Sequence, residues 1–323
     1  MSMRRNGLRF PEQELSHRRE GSFAEPKAPN IPDMISMPRI LFARARLGLA
    51  VLAAFLAVVV FSPLAAAAPE VDLWPRWEAH DPASRITVDH AVWDRLLRTH
   101  VRAHADGVSR FDYAGLQATD RAVLDGYVAA LSATPVSTLN RNEQFAYWIN
   151  FYNALTIQVV VDHYPVDSIR DIDISPGLFA SGPWGKKLVA VEDETLSLDD
   201  IEHRILRPIW RDPRIHYGVN CASIGCPNLI ATAYTAENMD SLLTENARAY
   251  VNHPRGAVVE DGALTVSKIY SWFDEDFGGN EAGVIAHLRD YAGPELLARL
   301  RDIDDVADYE YDWALNDGSP TGS

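Results

Sequence analysis

Only two cysteines occur in the 323 residues, Cys221 and Cys226, and both fall in the run from Arg214 to Pro227. Cys221 follows a stretch that alternates like a half-buried strand and precedes a turn. A chain reversal at a strand end exposes a side chain and points backbone N–H groups at it. Such N–H groups lower a thiol pKa and offer donors to an oxyanion, which suits a nucleophile. Two other readings stay open. The thiol can pack as a small buried hydrophobe, or close a disulfide with Cys226 if Gly225 lets the chain fold back.

A thiol nucleophile needs a base. His216 lies five residues before Cys221, an odd spacing that puts the two on opposite faces of a regular strand, so they pair only if the strand ends early. His203 sits beside Glu202 on an amphipathic helix, off the Leu198, Ile201, Ile205 stripe, where it is either plain surface or a base held in one tautomer. His203, His216 and Cys221 can in principle bind a metal, but the spacing matches no familiar zinc pattern. No cofactor is expected. Glu143, Asn150 and Asn153 lie among Phe145, Trp148, Ile149 and Leu155, where a buried unpaired amide costs about 1–3 kcal/mol. They must therefore bond something: loop backbone, or the catalytic histidine as in cysteine hydrolases.

The elements that must position these groups can be read from periodicity. Helices are expected over Trp93 to Val101, Leu116 to Leu131 and Ala236 to Val251, with a further one opened by Ser197 and Asp200 and running to Ile209. Glu143 to His163 is apolar nearly all round, which marks a buried central helix. Extended pieces are expected near Arg110 to Tyr113, Ser168 to Ile174, Lys187 to Val191 and Arg214 to Asn220, with a hairpin turning at Asp261 and Gly262. Val284 to Tyr291 and Leu296 to Leu300 read as terminal helices. Helices outnumber strands without regular alternation, so the expected fold is α+β, a mainly helical single domain around the central helix with a small sheet.

The expected organisation is an N-terminal extension and signal over residues 1–67, a linker and first helix over 68–100, a globular domain over 101–316, and a disordered tail over 317–323. Leu47 to Ala68 is apolar, follows Arg39, Arg44 and Arg46, and ends with small residues, the order of a secretory signal. Ala65 and Ala67 place cleavage near Ala67. An uncleaved anchor is the alternative, and the membrane is then touched only through this segment. Met34 or Met37 is a candidate start. Of 30 basic and 45 acidic side chains, 9 and 5 precede residue 68, which leaves 21 against 40, a net of −19. So acidic a domain repels nucleic acid, which is excluded as a partner. Its expected location is the periplasm or cell envelope.

Five separated motifs together resemble the domain of unknown function 547 family over about Leu131 to Phe277. They are Glu143 to Leu155, Ile201 to Arg207, His216 to Pro227, Tyr234 to Asn238, and Trp272 to Phe277. The resemblance implies that the family's Glu-His pair falls on Glu202 and His203, its histidine before the cysteine on His216, and its cysteine on Cys221. The position of Cys226 is often serine in plant members, which implies that Cys221 acts alone. No settled activity comes with the family. The expected function is a cysteine-dependent hydrolase or acyl transferase acting on a small molecule or a peptide-like substrate. In it Cys221 attacks, His203 or His216 moves the proton, Glu202, Asn150 or Asn153 orients the imidazole, and the N–H of Cys221 or Ala222 faces the oxyanion. The alternative is a non-catalytic envelope binding module that uses aromatics such as Trp184, Tyr309, Tyr311 and Trp313. A redox pair of Cys221 and Cys226 is a third reading, disfavoured by the wide spacing of the two cysteines.

Overall fold

A computed structural model describes residues 70–177 and 181–318, so the expected signal lies outside the described residues. Among the described residues no helix is long and apolar enough to cross a membrane. The fold is α+β and mainly helical, as its sequence pattern implies.

The 23-residue helix Arg141–His163 is its axis. Asn140 caps it by accepting from the N–H groups of Asn142 and Glu143, and nearly every residue from Glu143 to Val160 is buried. With apolar side chains all round, it buries them only by being wrapped. Helix Ala118–Ser132 packs along it and accepts a hydrogen bond from Tyr147 Oη at the carbonyl of Leu131, 2.9 Å. Around this axis lies the larger of two hydrophobic cores. The smaller gathers helices Met239–Val251 and Glu281–Tyr291 with a three-stranded sheet, β5 (Ala257–Glu260), β6 (Ala263–Ser267) and β7 (Asp308–Glu310). β5 and β6 form the hairpin turning at Asp261 and Gly262, both left-handed, and β7 pairs parallel to β6. Two further hairpins complete the strands: β1 (Val101–Ala103) with β2 (Ser109–Phe111), and β3 (Val189–Val191) with β4 (Glu194–Leu196).

Four sequence expectations change. Ser168 to Ile174 is not an extended piece: Ile169–Asp171 is a 3₁₀ turn, capped by Ser168 Oγ accepting from the Arg170 N–H at 3.2 Å. Arg214 to Asn220 is not a strand: Ile215–Gly218 is one helical turn, and only Val219 is extended. Asp212 and Pro213 nucleate the turn, because the Asp212 carboxylate accepts from the Arg214 N–H at 2.9 Å and its carbonyl from that of Ile215 at 3.0 Å. This turn joins the two cores, with Ile215, Val219 and Ala222 in one and Tyr217 in the other. The parity argument that set His216 opposite Cys221 therefore does not apply.

The helix opened by Ser197 and Asp200 does form, with Ser197 Oγ accepting from the Asp200 N–H and Asp200 Oδ2 accepting from that of Ser197. It then widens into a π-helix over Asp200–Leu206 before the turn Arg207–Trp210. Pro208 has no N–H to return to the preceding turn. The carbonyls of His203 and Arg204 accept instead from the N–H groups of Asp72 and Trp74, at 3.1 and 3.0 Å. Single-turn π-bulges recur at functional sites. Here the wider turn takes His203 off the surface and leaves it buried. Finally, Asp317 and Gly318 are not free tail: Asp317 forms a bridge with Phe111 and accepts from Tyr164 Oη, and the Gly318 N–H donates to the Phe111 carbonyl.

Candidate functional site

The cysteine loop is held from both sides. Asn153, on the central helix, donates from Nδ2 to the Gly218 carbonyl at 2.9 Å and accepts at Oδ1 from the Asn220 N–H at 2.8 Å. Asn220 in turn donates to the Pro227 carbonyl and accepts at Oδ1 from the Ala222 N–H. That short Asx turn holds Ala222 left-handed, at φ +61°, directly after Cys221. On the other side runs a C-terminal arm, residues 311–318. The N–H groups of Ile224 and Gly225 donate to the carbonyls of Ala314 and Asp312, both at 2.8 Å, and that of Asn316 donates to the Ala222 carbonyl. Gly225 is required at this crossing, since a Cβ there would stand 2.8 Å from Asp312 N. Arg255 and Tyr250 tie down the carbonyls of Ile224 and Gly225 from beneath.

This frame sets the two sulfurs 3.0 Å apart, hydrogen-bonded, with Cys221 half-buried and Cys226 buried. Cys221 Sγ also meets Tyr311 Oη at 3.0 Å and Ser223 Oγ at 3.2 Å, and those two hydroxyls are 2.8 Å apart. The Cys226 hydrogen bond holds the Cys221 thiol below its ordinary pKa against the opposing cost of burial, with Ser223 and Tyr311 helping and the Glu202 charge opposing. Burial, and then the neighbouring Cys221 sulfur, push Cys226 far up. Of the two thiols Cys221 is therefore the one that ionises first, while Cys226 holds its proton more tightly.

The imidazoles lie elsewhere. His216 donates from Nε2 to Asp276 Oδ2 at 2.7 Å and has Nδ1 3.5 Å from Glu202 Oε1, with its ring stacked on Phe273 at 4.2 Å. Burial alone would lower its pKa, but the two carboxylates raise it. His203 accepts at Nδ1 from Arg207 Nη1 at 3.1 Å, and burial takes its pKa down to about 4, so it is neutral at neutral pH. Burial works against ionised Glu202, and the adjacent His203, then the hydrogen bond and charge of His216 and the charge of Arg207, hold it below the usual carboxylate range. Arg207 Nε donates to Asp276 Oδ2 at 2.5 Å, which closes a buried network of two acids and two cations. The hydrogen bonds of Cys221 Sγ go to Cys226, Ser223 and Tyr311, and those of the two imidazoles go to Arg207 and Asp276. Tyr152 lies close to Glu202 and to both cysteines. Burial, then those charges, raise its hydroxyl far above the ordinary value.

The central-helix amides serve backbone. Asn150 clamps Tyr234 as Asn153 clamps the cysteine loop, donating to its carbonyl at 2.8 Å and accepting from its N–H at 3.1 Å. Glu143 accepts from the Val88 N–H, and burial raises its pKa. None of the three bonds an imidazole. The expected oxyanion donors are also committed, the Cys221 N–H to Cys226 Sγ at 3.0 Å and the Ala222 N–H to Asn220. Sequence reasoning missed Ser223, Asp276 and the role of Tyr311. The last was read only as one of several aromatics, yet its ring packs against Trp272 and Trp313 at 4.8 and 4.7 Å, with Trp184 beyond at 5.8 Å from Trp313. Among the described residues no cluster of three or more His, Cys, Asp or Glu is arranged to hold a metal ion.

Fold and site together define an α+β domain built on one buried helix, with a dithiol loop and a buried imidazole–carboxylate network beside it. Residues 136–251 match the family model described as "Protein of unknown function, DUF547", so the resemblance is shown over this segment. The segment includes the central helix, the π-helix and both cysteines. Asp276 and Tyr311 lie beyond it. No curated protein and no solved structure matches the chain.

Proposed function

We propose that the protein is exported and that its domain performs thiol–disulfide exchange, Cys221 attacking and Cys226 resolving. The observation that carries this reading is the pair of sulfurs at 3.0 Å with unequal surroundings, one half-buried with its pKa lowered, the other buried with its pKa raised. That division separates an attacking from a resolving thiol. The Cys221 thiolate attacks one sulfur of a small-molecule or peptide disulfide. A Cys221–substrate disulfide forms, the substrate S–S bond breaks, and the departing thiolate takes a proton from water. Capping Cys221 removes the charge that helps to raise Cys226. Cys226 then loses its proton to water and attacks Cys221, releasing the second substrate thiol. Two electrons have passed to the substrate, and the protein holds a Cys221–Cys226 disulfide.

A cysteine-dependent hydrolase or acyl transferase is the second reading, favoured by the same depressed Cys221 thiol. It asks for an imidazole on the sulfur and free N–H donors, and both are committed elsewhere. Equilibration in glutathione redox buffers, followed by mass spectrometry of the Cys221–Cys226 peptide, separates the two. Exchange predicts reversible loss of two hydrogens, and a Cys226→Ser variant that traps a mixed disulfide on Cys221. Thiols that stay free in oxidised glutathione would refute exchange. Export is supported by the Leu47 to Ala68 pattern, and sequencing the N-terminus of envelope-fraction protein tests it. A start near Ala68 is expected, and an intact N-terminus in the cytosol would overturn it.

A further inference from the structure

We infer that Tyr311 is a catalytic residue of the Cys221 site, its hydroxyl donating to the attacking sulfur, and that the C-terminal arm which carries it is a working part of that site. The inference rests on the thiol reading above and adds to it a residue that lies outside the matched family segment.

Three facts point to it. Tyr311 Oη, Cys221 Sγ and Ser223 Oγ form a closed triangle with sides of 3.0, 2.8 and 3.2 Å. Each hydroxyl has one proton to give, so two protons serve three sides and one side is made without a hydroxyl proton. A phenol is a far stronger acid than an alcohol and gives the stronger hydrogen bond to a thiolate. The triangle is therefore well satisfied with Tyr311 donating to the sulfur, and Ser223 giving its proton either to Tyr311 Oη or to the same sulfur. Second, the ring packs against both Trp272 and Trp313, which also touch each other at 5.4 Å, so the hydroxyl is aimed before any substrate arrives. Third, the arm is registered on the cysteine loop by backbone, through the Ser223–Leu315 bridge and the bonds from Ile224, Gly225 and Asn316. Those bonds fix where Tyr311 meets Cys221.

The arm thereby does for this thiol what an imidazole does elsewhere, holding the ionised form ready. It acts by hydrogen bonding and adds no cation to the site. When the substrate disulfide is cleaved and Cys221 becomes a neutral disulfide sulfur, the Tyr311 hydroxyl loses its acceptor there. It is then free to bond the departing substrate thiolate as the S–S bond breaks.

The test is the rate of iodoacetamide alkylation of Cys221 against pH in the fully reduced protein, read by peptide mass spectrometry. Wild type, Tyr311→Phe, Ser223→Ala and the control Tyr309→Phe, on β7 just before the arm, are compared. Phenylalanine keeps the packing against both tryptophans, so circular dichroism of the variant should match the wild type. Losing a hydrogen bond to a charged sulfur should raise the midpoint of the Tyr311→Phe curve by about one pH unit and slow alkylation near pH 7 about tenfold. Ser223→Ala should move it less, and Tyr309→Phe not at all. A Tyr311→Phe curve that overlays the wild type, or a larger effect from Ser223→Ala, overturns the role of Tyr311 while leaving the dithiol intact. A wild-type Cys221 that alkylates no faster than an ordinary free thiol at every pH overturns the thiol reading itself.

Discussion

Replacing Asn153 by alanine should be strongly destabilising, and the structure supplies the magnitude. Its side chain bonds the Gly218 carbonyl at 2.9 Å and the Asn220 N–H at 2.8 Å, and all three residues are buried. Alanine leaves two backbone groups unsatisfied in a place water does not reach. Each costs about 1–3 kcal/mol, so the pair costs roughly 2–6 kcal/mol, a large share of the 5–15 kcal/mol typical of a whole domain. Urea unfolding followed by circular dichroism, extrapolated to water, should show this loss as a lower midpoint at unchanged slope. Asn153→Asp refines the argument. An ionised carboxylate still accepts from Asn220 but has no proton for Gly218, whereas a protonated one restores both bonds. Its deficit against the wild type, measured at the same pH, should shrink as pH falls from 8 towards 5. The clamp is refuted if Asn153→Ala lies within about 0.5 kcal/mol of the wild type, the range of an indifferent surface change.

Other expectations follow from the same coordinates. His90, His203 and His287 are each lowered to about 4 by burial, so between pH 6.5 and 4 the unfolded chain binds more protons. Their contribution is complete above pH 6.5 and lost as pH falls towards 4, and urea midpoints at pH 7, 5.5 and 4.5 should decline; a flat profile contradicts it. His216 works with the opposite sign: its pKa is raised, so its contribution is present below pH 6.5 and lost as pH climbs through the folded value. Its imidazole signals in a proton-NMR titration should therefore move at higher pH than those of an exposed histidine. Asp276→Ala removes the carboxylate bonded by both Arg207 and His216 and should cost about 3–5 kcal/mol in urea unfolding, as loss of one partner of a buried ion pair does. Gly225→Ala forces a Cβ to 2.8 Å from Asp312 N and should cost about 1–3 kcal/mol, with the arm displaced and Cys221 alkylation altered. Unchanged stability and alkylation would mean the arm is not held as described.

Much was written in the chain itself. A helix with no polar face can only be a buried axis, and the expected Glu143 to His163 matches its C-terminal end, while its start lies two residues earlier, at Arg141 behind the Asn140 cap. The capping pair Ser197 and Asp200, the Asp261–Gly262 turn and the helix ending at Val251 follow from local rules that neighbouring residues decide. Local pattern also drew attention to Cys221, although through a strand end that does not form. What local rules missed was decided by partners remote in sequence. The π-helix runs into Pro208, which lacks one backbone donor, and the carbonyls of His203 and Arg204 are satisfied by a segment 130 residues upstream, so no 3.6-residue pattern announces it. The turn Ile215–Gly218 overrode an alternating pattern because Asp212 and Pro213 nucleate it and both cores claim its side chains. Above all, which group stands on the Cys221 sulfur was settled by tertiary structure. Carboxylates buried with the histidines hold those imidazoles, and a C-terminal arm bonded to the cysteine loop brings Tyr311 90 residues back along the chain. Hydrogen-bond competition in a buried space is a property of the folded whole, and a linear sequence carries no record of who wins it.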